Sequence, residues 1–235
     1  MKLLSPPKLS PEEKCPYIAT ELARHEFFLA HDLSAQEFDD VLKKGFRKFG
    51  VYFFRPHCQN CQACRPLRVN VNDFKPSKSH RRILKKNQDV AVSFQAPEYS
   101  EEIFQLFRKH SKLRFDQEEN HNTAREDFIQ THFTQTTPTV LSLFHLQDQL
   151  IAVGFLDLSQ RGTSSVYFIY DPDYGKRSLG VFGALKEIEY TQKTKRDYYY
   201  LGYYIKENPS MNYKNQFHPY ELFDWTQGIW KEIPR

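Results

Sequence analysis

The stretch Thr139-Val-Leu-Ser-Leu-Phe-His-Leu-Gln-Asp-Gln-Leu-Ile-Ala-Val-Gly-Phe-Leu-Asp-Leu158 reads as two strands and a turn. Apolar residues dominate Thr139–Leu146 and again Leu150–Leu158. The link Gln147-Asp148-Gln149 is too short for anything but an antiparallel hairpin. A third strand follows at Ser164–Tyr170. A helical pattern from about Leu179 to Thr194 then leads to a last strong strand, Tyr198–Tyr204.

An antiparallel meander, a helix and a further strand is the order found in acetyltransferase-like acyl-transfer domains, although order alone fixes no function. Upstream, one helix begins at Ser100, with Glu101 and Glu102 in its first turn and Ile103, Leu106 and Phe107 inward. Thr123-Ala-Arg-Glu126 opens another, carrying Phe128, Ile129 and Phe133. Ala96-Pro-Glu-Tyr-Ser100 breaks the pattern, so a domain boundary is placed between residues 1–95 and 96–235. In the first part, Tyr17 to about Leu29 reads as a strand. Ser34-Ala-Gln-Glu37 is a capping box for a short helix closed by Gly45. Leu67, Val69 and Val71 alternate as in a half-buried strand, a basic helix spans 79–87, and Val90–Phe94 is again a strand.

The chain has 235 residues, 40% hydrophobic and 26% charged, which is enough for a real core. Its 20 Phe and 14 Tyr point to a core built from rings. The net charge is only +4, so any nucleic acid binding must come from local patches. No apolar run approaches the ~20 residues of a membrane span, and the N-terminus lacks the apolar core of a signal peptide. No membrane partner is expected. Four clustered cysteines without an export signal point to reduced thiols in the cytoplasm.

Three of those cysteines sit in Arg55-Pro-His-Cys-Gln-Asn-Cys-Gln-Ala-Cys-Arg-Pro66. Two successive C-x-x-C steps bring Cys58, Cys61 and Cys64 around one point, and thiolates are soft ligands suited to zinc or an iron–sulfur cluster. Cys15 is the natural fourth ligand, with His57 in reserve; the alternative is four unrelated thiols. Lys75, Lys78, Arg81, Arg82, Lys85 and Lys86 follow within twelve residues, either as a phosphate-binding face or as a solvated one. Arg177-Ser-Leu-Gly180-Val-Phe-Gly183 lies where a strand gives way to a helix. Its glycines leave backbone N–H groups free for phosphate, or serve packing. The loop nearly matches the pyrophosphate loop of coenzyme A acetyltransferases, but Phe182 fills the last small position. That argues against a small-molecule N-acetyltransferase, and no organic cofactor is expected. Tyr198-Tyr-Tyr-Leu-Gly-Tyr-Tyr-Ile205 and Met211-Asn-Tyr-Lys214 carry many hydroxyls that need partners, either in packing or in a polar pocket.

With these segments the chain resembles the aminoacyl-tRNA–protein transferases of the N-degron pathway, specifically the bacterial aspartate/glutamate leucyltransferase branch. The matching stretches are Cys15-Pro-Tyr, the run Arg55 to Arg82, Asp171-Pro-Asp with Ser178-Leu-Gly, and Tyr200-Leu-Gly-Tyr-Tyr-Ile with Met211-Asn-Tyr-Lys. Asn208 and Ser210 depart from the eukaryotic arginyltransferases, and residues 111–124 fit the family poorly. The resemblance implies an α+β protein in which a metal- or cluster-binding N-terminal region packs on an acetyltransferase-like (GNAT-type) domain. It also implies transfer of an amino acid, leucine or arginine, from aminoacyl-tRNA to a protein N-terminus. An RNA-binding metal module with an inactive acyltransferase domain is the rival reading. An activated ester and an α-amine of pKa near ~8 need mainly alignment. Asp157, Asp171 and Tyr167 are the candidate catalytic residues. Lys78, Arg81, Arg82, Lys85, Ser178 and Gly180 are candidates for the tRNA. Tyr203, Tyr213 and Lys214 are assigned to the acceptor, whose N-terminal Asp or Glu calls for a cation. Arg177 and Arg125 are the reserve cations.

Overall fold

The computed structural model describes residues 1–115 and 125–234. In chain order the first elements are β1 (Lys2–Leu9), β2 (Glu13–Lys14), β3 (Leu22–Ala23), β4 (His25–His31), α1 (Ala35–Lys43), β5 (Arg47–Phe49), β6 (Tyr52–Pro56), β7 (Arg65–Asn70), α2 (Lys78–Lys86) and β8 (Val90–Gln95). Helices α3 (Glu101–Phe115) and α4 (Arg125–Phe133) follow, then β9 (Thr139–Leu146), β10 (Gln149–Leu158) and β11 (Gly162–Tyr170). A 3-10 turn (Pro172–Arg177), α5 (Leu179–Lys193), β12 (Tyr198–Tyr204), α6 (Pro209–Asn212), β13 (Tyr220–Asp224) and β14 (Ile229–Ile233) complete the described chain.

The hairpin read from the sequence lies inside an eight-stranded sheet of order β14-β13-β7-β12-β11-β10-β9-β8. Strands β9, β10 and β11 form the expected antiparallel meander, and β12 returns parallel to β11 after α5. Helix α5 covers one face, burying Ala184, Leu185 and Ile188 against Leu67, Val69 and Leu222. Helices α3 and α4 cover the other, setting Phe104, Phe107 and Phe128 against Leu141, Val153 and Phe155. The architecture is mixed α+β.

The segment before residue 95 does not stand apart from this sheet. Strand β7 is inserted between β12 and β13, and β8 pairs with β9, so the division at residue 95 runs through the sheet. Strands β1, β4, β6 and β5 form a separate four-stranded sheet, whose core of Phe28, Phe38, Leu42 and Phe53 also holds Tyr200 from β12, and β2 pairs with β3 in a two-stranded one. The strand expected from Tyr17 begins later than expected. Residues 15–21 close a turn through Cys15 N–H to Glu21 O (3.0 Å) and Glu21 N–H to Ile18 O (3.0 Å), which occupies the groups a ladder would use. The capping box at Ser34 and Glu37 forms as read, and Ser77 with His80 builds a second one at the start of the basic helix. The helix start at Thr123 and most of the poorly fitting segment 111–124 lie outside the described residues.

Candidate active site

Strands β11 and β12 pair over Gly162–Ser164 and Tyr198–Tyr200 only, and beyond that point they splay. Gly202, with φ of +87°, lies beyond a register shift in β12, while Arg47 from β5 sits under the fork. The Arg47 guanidinium donates to the Ser164 hydroxyl (2.9 Å), the Tyr200 carbonyl (3.4 Å) and the Ser165 carbonyl. It satisfies backbone oxygens that the broken ladder would leave buried and unpaired. The open fork is a cleft of about 340 Å³, lined by Ser165, Tyr167, Phe168 and Tyr170 on one wall and by Tyr199, Leu201 and Tyr213 on the other.

The first turn of α5 forms the end of this cleft through Ser178, Leu179 and Gly180. Ser178 adopts the left-handed conformation (φ 56°, ψ 45°) and makes no side-chain cap. A Cβ at Gly180 would meet nothing within 4 Å, so the approach to the helix start is open. Free N–H groups and the helix dipole favour an anion there.

The basic helix α2 is tied to this same turn. Asn87 donates to the Arg177 carbonyl (2.9 Å), Lys86 Nζ reaches the Lys176 carbonyl (2.5 Å), and Arg177 grips Asp89 through two bonds of 2.8 and 2.9 Å. Lys78, Arg81, Arg82 and Lys85 are all exposed. The residues read as tRNA-binding from sequence thus lie on α2 and at the start of α5, two elements joined through the end of α2. Arg177 is committed to Asp89 and Arg125 to Glu101 (2.9 Å).

The remaining residues are divided. Tyr167 and Tyr213 line the cleft. Asp171 does not line the cleft; it is buried next to Tyr170, holding Lys109 Nζ at 2.7 Å while capping the 3-10 turn. Asp157 lies outside the cleft, buried against Lys48 Nζ (3.0 Å) and the Thr139 hydroxyl (2.8 Å). Tyr203 also points away, its hydroxyl donating to the Phe54 carbonyl at 3.2 Å. Lys214 is buried behind the wall and donates to the Tyr203 carbonyl (2.6 Å). Burial, with help from Arg47, lowers its pKa to about 7.

The cysteines read from sequence come together. Cys15, Cys58, Cys61 and Cys64 line one cavity of about 140 Å³ with Tyr17, His25 and Tyr203, and all four are free thiols. Burial and then the other three thiols push the Cys64 thiol up to about 12. Among the described residues, no three His, Cys, Asp or Glu side chains are gathered closely enough to hold a metal ion.

Residues 13–82 and 102–224 match the two profiles of one family, the N terminus and the C terminus of arginine-tRNA-protein transferase. An aspartate/glutamate leucyltransferase of Campylobacter jejuni is 33% identical over 226 residues, covering 94% of this chain and 93% of its own. Those of Alcanivorax borkumensis and Pseudomonas putida are each 37% identical, covering 85% and 88% of this chain and 82% and 89% of their own. The chain belongs to the arginine-tRNA-protein transferase family. Among solved structures, L-PGS from Bacillus licheniformis aligns with a TM-score of 0.45 at 12% identity, covering 65% of this chain and 49% of that one.

The sequence reading of this transferase missed Glu187. It lines the cleft floor, is 0% exposed, and accepts from Tyr199 (2.5 Å) and Ser142 (2.9 Å). Burial raises its pKa to about 7, with the surrounding hydroxyls pulling the other way. The signal was present. On a helical period Glu187 shares a face with Gly183, Ala184 and Ile188, the face that the small residues turn toward the sheet.

Proposed function

We propose that the protein transfers leucine from leucyl-tRNA to the N-terminal aspartate or glutamate of acceptor proteins. The observation that carries this reading is the match, over nearly the whole chain, to relatives named aspartate/glutamate leucyltransferase. The geometry agrees with it. The splayed sheet with α5 is read as a GNAT-type acyltransferase core, and its cleft is open enough for an aminoacyl ester to meet an amine. The exposed cations Lys78, Arg81, Arg82 and Lys85 of α2 would take backbone phosphates. The open start of α5 at Ser178 and Gly180 would take the anionic acceptor end.

In the transfer, the acceptor α-amine attacks the aminoacyl carbonyl carbon. A C–N bond forms, the ester C–O bond to the terminal ribose breaks, and the amine proton ends on the ribose oxygen. Tyr167 and Tyr213 line the walls where the two substrates would meet. Among the described residues Glu187 is the only carboxylate lining the cleft, and hydroxyls already surround it. Lys214 would support the Tyr203 segment from behind, its ammonium being held by the Tyr203 carbonyl.

Cys15, Cys58, Cys61 and Cys64 would hold a zinc ion or an iron–sulfur cluster once drawn closer together than they stand here. The shared cavity and the soft donor set support this, and the group would order the loop that leads into β7. The test is to offer the purified protein leucyl- and arginyl-tRNA with peptides beginning in Asp, Glu, Lys or Ala. Leucine should appear on the Asp and Glu peptides only. Arginine on those peptides would replace the donor, and no label on any peptide would end the reading.

A further inference from the structure

Four carboxylates are buried among the described residues: Asp39, Asp157, Asp171 and Glu187. Three hold a lysine, Asp39 with Lys43 at 2.8 Å, Asp157 with Lys48 at 3.0 Å and Asp171 with Lys109 at 2.7 Å. Glu187 is held by hydroxyls alone, Tyr199 from β12 and Ser142 from β9, and the Ser165 hydroxyl of β11 lies beside both Glu187 and Tyr199. An isolated buried carboxylate is costly, and a chain with no use for it would be better served by an apolar residue.

The surrounding backbone makes room for this carboxylate. A Cβ added at Gly154 of β10 would run into Glu187 Oε1 and the Ser142 hydroxyl, so glycine is what allows the group to lie against the sheet. Of its partners, Ser165 is half-buried and lines the cleft, as does Tyr199. Ser165 and Tyr199 thus place hydroxyls between the open cleft and the carboxylate beneath it.

We infer that Glu187 is a proton-holding positioning residue for the transfer, acting on the acceptor amine through the Ser165 hydroxyl. This rests on the leucyl-transfer reading. As the amine nitrogen bonds the aminoacyl carbon, its proton passes to Ser165 Oγ, and the Ser165 proton passes to the Glu187 carboxylate. When the ester C–O bond breaks, the same path returns one proton to the ribose oxygen, so Glu187 ends as it began. Tyr199 fixes the carboxylate and stays protonated, because burial and the adjacent Glu187 raise its pKa well above the usual range. A carboxylate near 7 suits this role, since the best general base has a pKa close to the working pH.

The groups facing this network from the packed elements are Ser142, Ser165, Tyr199 and, across the cleft, His110, Tyr167, Tyr170 and Tyr213. The charged neighbours are Arg47 beneath the fork and the Asp171–Lys109 pair next to the cleft-lining Tyr170. The test is single-turnover transfer against pH, with leucyl-tRNA and an Asp-peptide. Wild type should show two ionisations on the rising limb, one near 7 and one from the peptide amine near ~8. Glu187→Gln should lower kcat by about 10²–10³-fold, leave KM for leucyl-tRNA unchanged and abolish the lower ionisation. Glu187→Asp should restore that ionisation in part, and His110→Gln should leave it in place. Should Glu187→Gln fail to fold, Ser165→Ala removes the same link and should cost a similar factor with the same change in profile. Variants that transfer at the wild-type rate, or keep the lower ionisation, would overturn the inference. Wild-type protein that transfers nothing would overturn the leucyl-transfer reading instead.

Discussion

Asp157 and Glu187 are buried to the same degree, 1% and 0% exposed, yet they do opposite things. Asp157 on β10 faces Lys48 from the neighbouring small sheet, with the Thr139 hydroxyl as its second partner. That ion pair is a clasp between two sheets. Glu187 on α5 faces only hydroxyls, so nothing in its surroundings fixes whether it holds a proton. What surrounds a buried carboxylate, more than its depth, decides whether it is a structural or a chemical group.

The largest effect should come from breaking the clasp on one side. Asp157→Ala strands Lys48 in the interior, and the loss should be about 3–5 kcal/mol in denaturant unfolding. Replacing both partners with Asp157→Leu and Lys48→Met should recover most of it. A double variant as unstable as the single one would show that the pair does more than join the sheets.

Glu187 should behave differently, through pH. Its pKa rises from 4.5 in the unfolded chain to about 7 in the fold. The folded state therefore binds the proton more tightly, and this contribution is present below pH 4.5 and lost as pH rises through 7. The loss should reach on the order of 3 kcal/mol by pH 8, and Glu187→Gln should flatten that part of the stability curve. A slope unchanged by the substitution would assign it to another group. Ser142→Ala should give the smallest change, about 1 kcal/mol, felt mainly above pH 7 where the hydrogen bond meets an ionised carboxylate. An equal loss at pH 5 would mean that the carboxylate is already charged there.

The sequence made the local parts legible and left the long-range parts hidden. The hairpin at Gln147–Gln149, the capping box at Ser34 and the helix after Ser178 are set by neighbours in the chain, and each formed where read. The insertion of β7 between β12 and β13 pairs Arg68 with Tyr200 and Glu221, and no local pattern encodes partners so distant. The candidate residues divided the same way. Ser178, Gly180, Tyr167 and Tyr213 reach the cleft because the meander and its helix carry them there. Asp157 stands out in the sequence by its charge at a strand end, and alternation along β10 does not reveal Lys48, which lies on another sheet. A lone acid in a helix usually faces water, so Glu187 does not stand out in the sequence, although its spacing from Gly183 and Ala184 puts it on the inner face.

The place of β7 also has a consequence for synthesis. Residues 65–70 leave the ribosome long before 198–204 and 220–224, the two strands that flank them. At ordinary elongation rates this interval is on the order of ten seconds. Through that time a strand with both edges unpaired and an apolar core of Leu67 and Val69 has no native partner, which makes the nascent chain a client for chaperones. The cysteine loop lies just upstream, so any group it takes up early would be fastened to a strand still waiting for its sheet.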